Sequence, residues 1–161
     1  MGGNGRSTGA GSDVVVRLVD IFHDVVRSSL HRLQPIVLEH GITVGQFLAL
    51  HVVSSMAVAS MSDVADRLGV SAPAVSVTVD QLEEAGLVRR RRAERDARRV
   101  ELVVTARGRA LETRVWGRVR REMAGAVRGL PPSDLATAVR VFEEIARRAG
   151  PGPVAHPQGS R

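Results

Sequence analysis

SMSDVADRLGVSAPAVSVTVDQLEEAGLVRR (residues 60–90), continued by RRAERDARRVELVVTARG (91–108), reads as two short helices at a tight turn followed by an arginine-studded two-stranded ribbon. Ser60 with Asp63 three residues on has the spacing of a capping box. Val64, Ala65 and Leu68 recur at helical spacing and give the first helix one buried stripe. Gly69 stops it, because glycine reaches positive φ without a Cβ penalty. Ser71 is placed to cap the next helix, Pro73 suits its first turn, and Val75, Val79 and Leu82 form its inner face before Gly86 ends it. This is the spacing of a helix-turn-helix, whose second helix lies in the major groove of DNA.

The residues after Gly86 sharpen that reading. Leu87 and Val88 begin an extended run, and Val100, Leu102 and Val104 alternate with Glu101 and Val103 in a second one. Between them lies a polar hairpin from Arg92 to Arg99. Residues 89–109 hold nine arginines against three acids, Glu94, Asp96 and Glu101. A hairpin so charged can track phosphates or enter a minor groove, where negative potential favours guanidinium. Of Arg89, Arg90, Arg91 and Arg92, not all can face inward, so part of this run is expected to meet phosphate.

Outward from this unit the chain is helical on both sides. A long pattern from Ser12 to about Glu39 carries Val15, Leu18, Val19, Phe22, Val25, Val26, Leu33 and Ile36, with Pro35 expected to bend it and Gly41 to break it. Thr43 with Gln46 forms a Thr-x-x-Gln capping box for the next helix, whose inner face is Phe47, Leu50 and Val53. After the ribbon, Thr105 caps a helix to about Arg128 with Leu111, Val115, Trp116, Val119, Met123 and Val127 as its stripe. A last helix reaches about Arg148, with Leu135, Val139, Phe142, Ile145 and Ala146 turned inward. Two long amphipathic helices leave more apolar surface than a small DNA-binding unit can cover, and pairing with a second copy would bury it. The expected fold class is mainly α with a small β-wing: a winged helix-turn-helix at 40–104, a helical dimerisation region at 12–39 and 105–149, and flexible tails at 1–11 and 150–161.

Composition removes several classes of function. The formal charge is +6, and all 23 basic residues are arginine, which suits planar, bidentate phosphate and guanine contacts and is equally what a GC-rich genome produces. The absence of cysteine excludes disulfides, thiolate zinc sites and cysteine-based sensing. With neither lysine nor cysteine as nucleophile, no glycine-rich phosphate loop, and no HExxH or paired-acid constellation, no enzyme is expected. Nor is a cofactor or metal: His23, His31, His40 and His51 lack an obvious carboxylate partner. No apolar run approaches the roughly 20 residues of a membrane helix. MGGNGRSTGAGS at the start lacks the apolar core of a signal peptide, and Arg6 stands where a myristoylation motif takes Ser or Thr. The expectation is a cytoplasmic protein without a membrane partner.

The sequence resembles the MarR family of bacterial transcriptional regulators over roughly residues 12–149. The resemblance is carried by ITVGQFLAL (42–50), VADRLGVS (64–71), AVSVTVDQLEEAGLVRR (74–90) and ERDARRVELVVTARG (94–108), in this order and spacing. It implies a homodimer on double-stranded DNA at a pseudo-palindromic operator, most often as a repressor. Ala72, Pro73, Ser76 and Val77 would face the major groove and the wing would reach the minor groove. The family wing reads Asp-x-Arg-Asp-x-Arg and then Leu-Thr-x-x-Gly. Arg95, Asp96, Arg98, Thr105 and Gly108 keep it, while Ala93 replaces the first Asp and Val104 the Leu. Arg95 is then the expected minor-groove residue, Asp96 and Arg98 would brace the hairpin, and Arg92 and Arg99 would join the contact. Val77 stands where relatives commonly carry Arg, which leaves Ser71, Ser76, Asp80 and Gln81 as polar readers.

Relatives in many cases hold an effector between the dimer helices and the DNA-binding lobe. His23, Arg27 and His31, four apart on one helix face, would there join Phe47, His51 and Trp116 to hold a small aromatic or anionic ligand. The competing reading of the His/Arg stripe is exposed helix surface. For the whole chain, the alternative function is an architectural, weakly sequence-specific DNA-binding protein without an effector.

Overall fold

The computed structural model describes residues 7–92 and 100–149. Its elements are α1 (Ser7–Leu38), α2 (Val44–Ser55), α3 (Met61–Leu68), α4 (Ala72–Glu84), β1 (Val88–Arg92), β2 (Val100–Val104), α5 (Ala106–Ala126) and α6 (Pro132–Ala149). Two helix starts follow from local hydrogen bonding. At α2 the Thr43 hydroxyl accepts from the Gln46 N–H at 3.2 Å, and the Gln46 Oε1 accepts from the Thr43 N–H at 2.7 Å. At α3 the Ser60 hydroxyl accepts from the Asp63 N–H, and Asp63 Oδ2 accepts from the Ser60 N–H at 2.8 Å. Aspartate therefore closes a box usually completed by a longer side chain. Gly69 at φ 65° then turns the chain out of α3.

Ser71 departs from expectation. It occupies the N-cap position of α4 but makes no side-chain cap hydrogen bond, so Pro73 in the first turn rather than a serine hydroxyl marks this start. The long first helix also begins earlier than the pattern suggests. Residues 7–11, read as tail, lie within α1, because extending a formed helix adds a backbone hydrogen bond for each residue fixed. α1 continues through Pro35 to Leu38.

The core is built almost wholly from the middle of the chain. Phe47, Leu50, Val64, Val75, Val79, Leu82, Val88 and Val115 are fully buried, joined by Leu68, Leu87, Leu102, Val104 and Leu111. β1 and β2 pair antiparallel with Val88 opposite Val104 and Arg92 opposite Val100. Only Leu102 and Val104 of β2 turn inward; Val100, at the ribbon's outer end, is exposed. Ala59, in the connection between α2 and α3, adds a bridge to Leu102, whose N–H donates to the Ala59 carbonyl at 2.7 Å. That short bridge lies too isolated in the chain for a period-two pattern to reveal it.

α1 supplies only its last turns to this core (Leu33, Ile36, Val37) and α5 only its first (Leu111, Val115). α6 supplies none of it. Val139, Phe142 and Ile145, expected to face inward, are exposed, as are Val15, Leu18, Val19, Phe22 and Val25 of α1. Helical periodicity reports which face is apolar and not what covers it. In the single chain these faces meet at one ring contact, Phe22 to Phe142, at 6.5 Å between centroids.

Thr105 fastens the ribbon to α5. Its hydroxyl donates to the Gly86 carbonyl at 2.8 Å and accepts from the Gly108 N–H at 3.0 Å, while its own N–H donates to the Leu87 carbonyl at 3.0 Å. Thr105→Val keeps the shape and removes both hydroxyl bonds. It should lower stability by about 2 kcal/mol, the upper range for an N-cap. A urea midpoint equal to wild type would show that the hydroxyl holds nothing.

Candidate nucleic-acid interface

α4 is anchored by Val75, Val79 and Leu82, which leaves its other side uncovered. Ser71, Ala72, Pro73, Val77, Asp80 and Gln81 are exposed there, and Ser76 is half-buried at the margin. Val77 is 57% exposed, a solvated valine with no structural reason to be apolar. Asp80 and Gln81 are not idle. Asp80 Oδ1 accepts from Arg90 Nη2 at 2.6 Å, and Gln81 Oε1 accepts from Gln46 Nε2 at 2.8 Å. The uncovered side of α4 is thus tied to β1 on one side and to α2 on the other.

Arg90 is the hinge of this arrangement. Its backbone N–H donates to Glu83 Oε1 at 3.0 Å, and its guanidinium pairs with Glu83 Oε2 as well as with Asp80. The Arg90 N–H, followed by its guanidinium, holds the Glu83 carboxyl below the usual range. A depressed carboxyl stabilises the fold above its ordinary value, and that contribution disappears as pH falls through the lowered one. Arg91 pairs with Glu101 directly across the ribbon at 2.7 Å. Arg89 and Arg92 point to solvent, and among the described residues neither makes an ion pair. The four-arginine run therefore divides into two ion-paired members, Arg90 and Arg91, and two that make no ion pair among the described residues. Arg95, Asp96, Arg98 and Arg99, the expected wing-tip contact and brace, lie outside the described residues.

A second cluster sits between α2 and α5. His51 Nδ1 is 2.7 Å from Glu112 Oε1, and the His51 and Phe47 rings lie 5.1 and 5.8 Å from the Trp116 ring. Glu112 is buried, and Trp116 Nε1 is buried with no hydrogen-bond partner. Phe47 is core. His23, Arg27 and His31 stand exposed on α1, with Arg27 paired to Asp24 at 3.1 Å. Among the described residues no hydrogen bond, ion pair or ring contact joins these three to the cluster. Three of the six expected pocket residues are brought together and three are not. The described residues contain no group of three His, Asp or Glu that could hold a metal, and no helix long and apolar enough to cross a membrane.

The sequence model of the MarR family matches residues 40–99, from the turn after α1 to the residue before β2. This stretch carries the sequence pattern of the MarR family. The MarR-family likeness of the remaining helices is one of fold. A MarR family protein from Bacillus stearothermophilus superposes with a TM-score of 0.79 at 18% identity, over 86% of this chain and 96% of that one. RV1404 from Mycobacterium tuberculosis gives 0.70 at 25% identity, over 95% and 100%. Staphylococcus aureus MarR in complex with salicylate and kanamycin gives 0.71 at 21%, over 82% and 89%. No curated protein matches the chain by sequence. The chain therefore has the fold of MarR-family transcription regulators, six helices with a two-stranded ribbon, α1, α5 and α6 included.

Two residues important to this site escaped the sequence reading. Glu112 interrupts an apolar stripe and lies four residues before Trp116, so spacing alone places both on one side of α5; nothing local links it to His51. Arg90 reads as one member of a basic run, and only the packing of β1 on α4 separates it from Arg89 and Arg92.

Proposed function

We propose that this chain is a DNA-binding transcription regulator of the MarR type, acting as a homodimer on a pseudo-palindromic operator and most often as a repressor. The observation that carries the reading is the uncovered side of α4 beside exposed Arg89 and Arg92. The start of α4, whose first N–H groups Ser71 leaves uncapped, favours a phosphate, and Val77 can meet a thymine methyl. The wing residues Arg95, Arg98 and Arg99 would continue the contact into the minor groove. Dimerisation is supported by the uncovered apolar faces of α1 and α6, where Val15, Leu18, Val19, Phe22, Val139 and Phe142 are exposed. A two-fold axis through them would set two recognition helices about 34–36 Å apart. Binding across a promoter then excludes polymerase.

Staphylococcus aureus MarR binds salicylate, an aromatic carboxylate. Here His51, Glu112 and the unpartnered Trp116 Nε1 form a polar patch on an apolar floor, suited to a small aromatic or anionic molecule. His23, Arg27 and His31 join only if a partner subunit or a lobe movement brings α1 across. Such a ligand must bind the DNA-incompetent spacing more tightly than the competent one to release the operator.

Selection from a random duplex library tests the DNA reading without a known target. An enriched inverted repeat with half-sites one helical turn apart is the expected result. Recovery of unenriched sequence favours the architectural alternative.

A further inference from the structure

α4 carries three carboxylates, Asp80, Glu83 and Glu84, and no basic residue. A helix of that charge is a poor guest for a groove between two phosphate chains, because like charges brought together disfavour association. Two of the three acids are engaged by a single side chain. Arg90 reaches from β1 to Asp80 at 2.6 Å and to both oxygens of Glu83, through its backbone N–H at 3.0 Å and its guanidinium. Its own side chain is only 31% exposed, much of the guanidinium being turned away from solvent and towards α4. Arg89 and Arg92, by contrast, are exposed and make no ion pair among the described residues.

From this division of labour we infer that Arg90 is a positioning and charge-masking residue for DNA binding: it neutralises Asp80 and Glu83 on α4 instead of contacting phosphate. The inference rests on the DNA-binding reading above. The fork of a guanidinium suits the task, since one rigid group can serve two carboxylates while a lysine presents a single point charge. The same contacts lock β1 to α4, and the Gln46–Gln81 hydrogen bond locks α4 to α2, so recognition helix and wing move as one body.

Masking and phosphate contact differ in what rescues them. Arg90→Gln uncovers two carboxylates and should weaken binding to a random-sequence duplex at low salt by about 10- to 100-fold. Random duplex is the chosen probe because it removes base reading by Asp80 from the comparison. Adding Asp80→Asn and Glu83→Gln to Arg90→Gln should restore affinity to within about threefold of wild type, since no carboxylate then needs masking. If Arg90 instead bound phosphate directly, neutralising the two acids would not replace its guanidinium. A triple variant as weak as Arg90→Gln therefore overturns the inference, as does an Arg90→Gln variant that binds like wild type. Thermal melts of each variant, with binding measured well below the lowest midpoint, separate affinity from folding. If wild type binds no duplex at all, the DNA-binding reading fails and this inference with it; wild-type binding without rescue overturns the inference alone.

Discussion

Gly108→Ala is expected to lower the melting temperature by roughly 6–12 °C, the consequence of about 3 kcal/mol in a chain of this size. A Cβ at Gly108 would stand 2.3 Å from the Leu87 carbonyl oxygen and 2.8 Å from Val104 Cγ1. Neither can step aside easily. The Leu87 carbonyl accepts the Thr105 N–H, and Val104 is a buried residue paired across the ribbon with Val88. Relief requires α5 to move away from the base of the wing, which would also break the Thr105 cap on the Gly108 N–H. Calorimetry or thermal circular dichroism reads the effect. A midpoint within a degree of wild type would mean that α5 and the ribbon do not meet as described.

The second large effect concerns assembly. Phe142→Asp places a charge on the α6 face that one chain leaves uncovered, beside Phe22 of α1. Phe142 is 50% exposed in the single chain, so the change spares the core. If a second copy covers this face, the molar mass by light scattering should fall from about twice 17.3 kDa towards the single-chain value. Affinity for a selected inverted repeat should fall about 10³-fold, to the level of non-specific binding, because one protomer can read only half a site. An unchanged mass with unchanged affinity would show that α6 is not the dimer face. Far-UV circular dichroism distinguishes a folded monomer from a chain that needs its partner to fold.

The features legible in the sequence are those written within a few residues. Thr43 with Gln46, Ser60 with Asp63 and Thr105 with Gly108 are contacts three residues apart, and each forms as its spacing implies. The inner stripes of α2, α3 and α4 are legible for the same reason, since one core covers all three. Ser71 shows the limit, because its residue type suits a cap while its hydroxyl does not make one. The α6 stripe shows another, its periodicity naming an apolar face that the chain itself does not cover. Least legible are charges that meet across elements. Arg90 with Asp80 and Glu83, and His51 with Glu112 sixty-one residues on, depend on how a strand or helix is docked, and composition averages them into a basic run or a scattered histidine. Thus the helix proposed to face DNA is legible, while the side chains occupied in holding it are not.

The claim that this chain reads DNA sequence is tested most directly by its affinity for a duplex enriched in the selection against a random duplex of equal length, titrated across salt. At physiological ionic strength the expected preference is at least about 10³-fold for the enriched site. Affinity for both duplexes should also fall steeply with salt, as arginines release counterions from phosphate. Equal affinity for the two duplexes across the titration would contradict it and leave an arginine-rich protein that binds the DNA backbone alone.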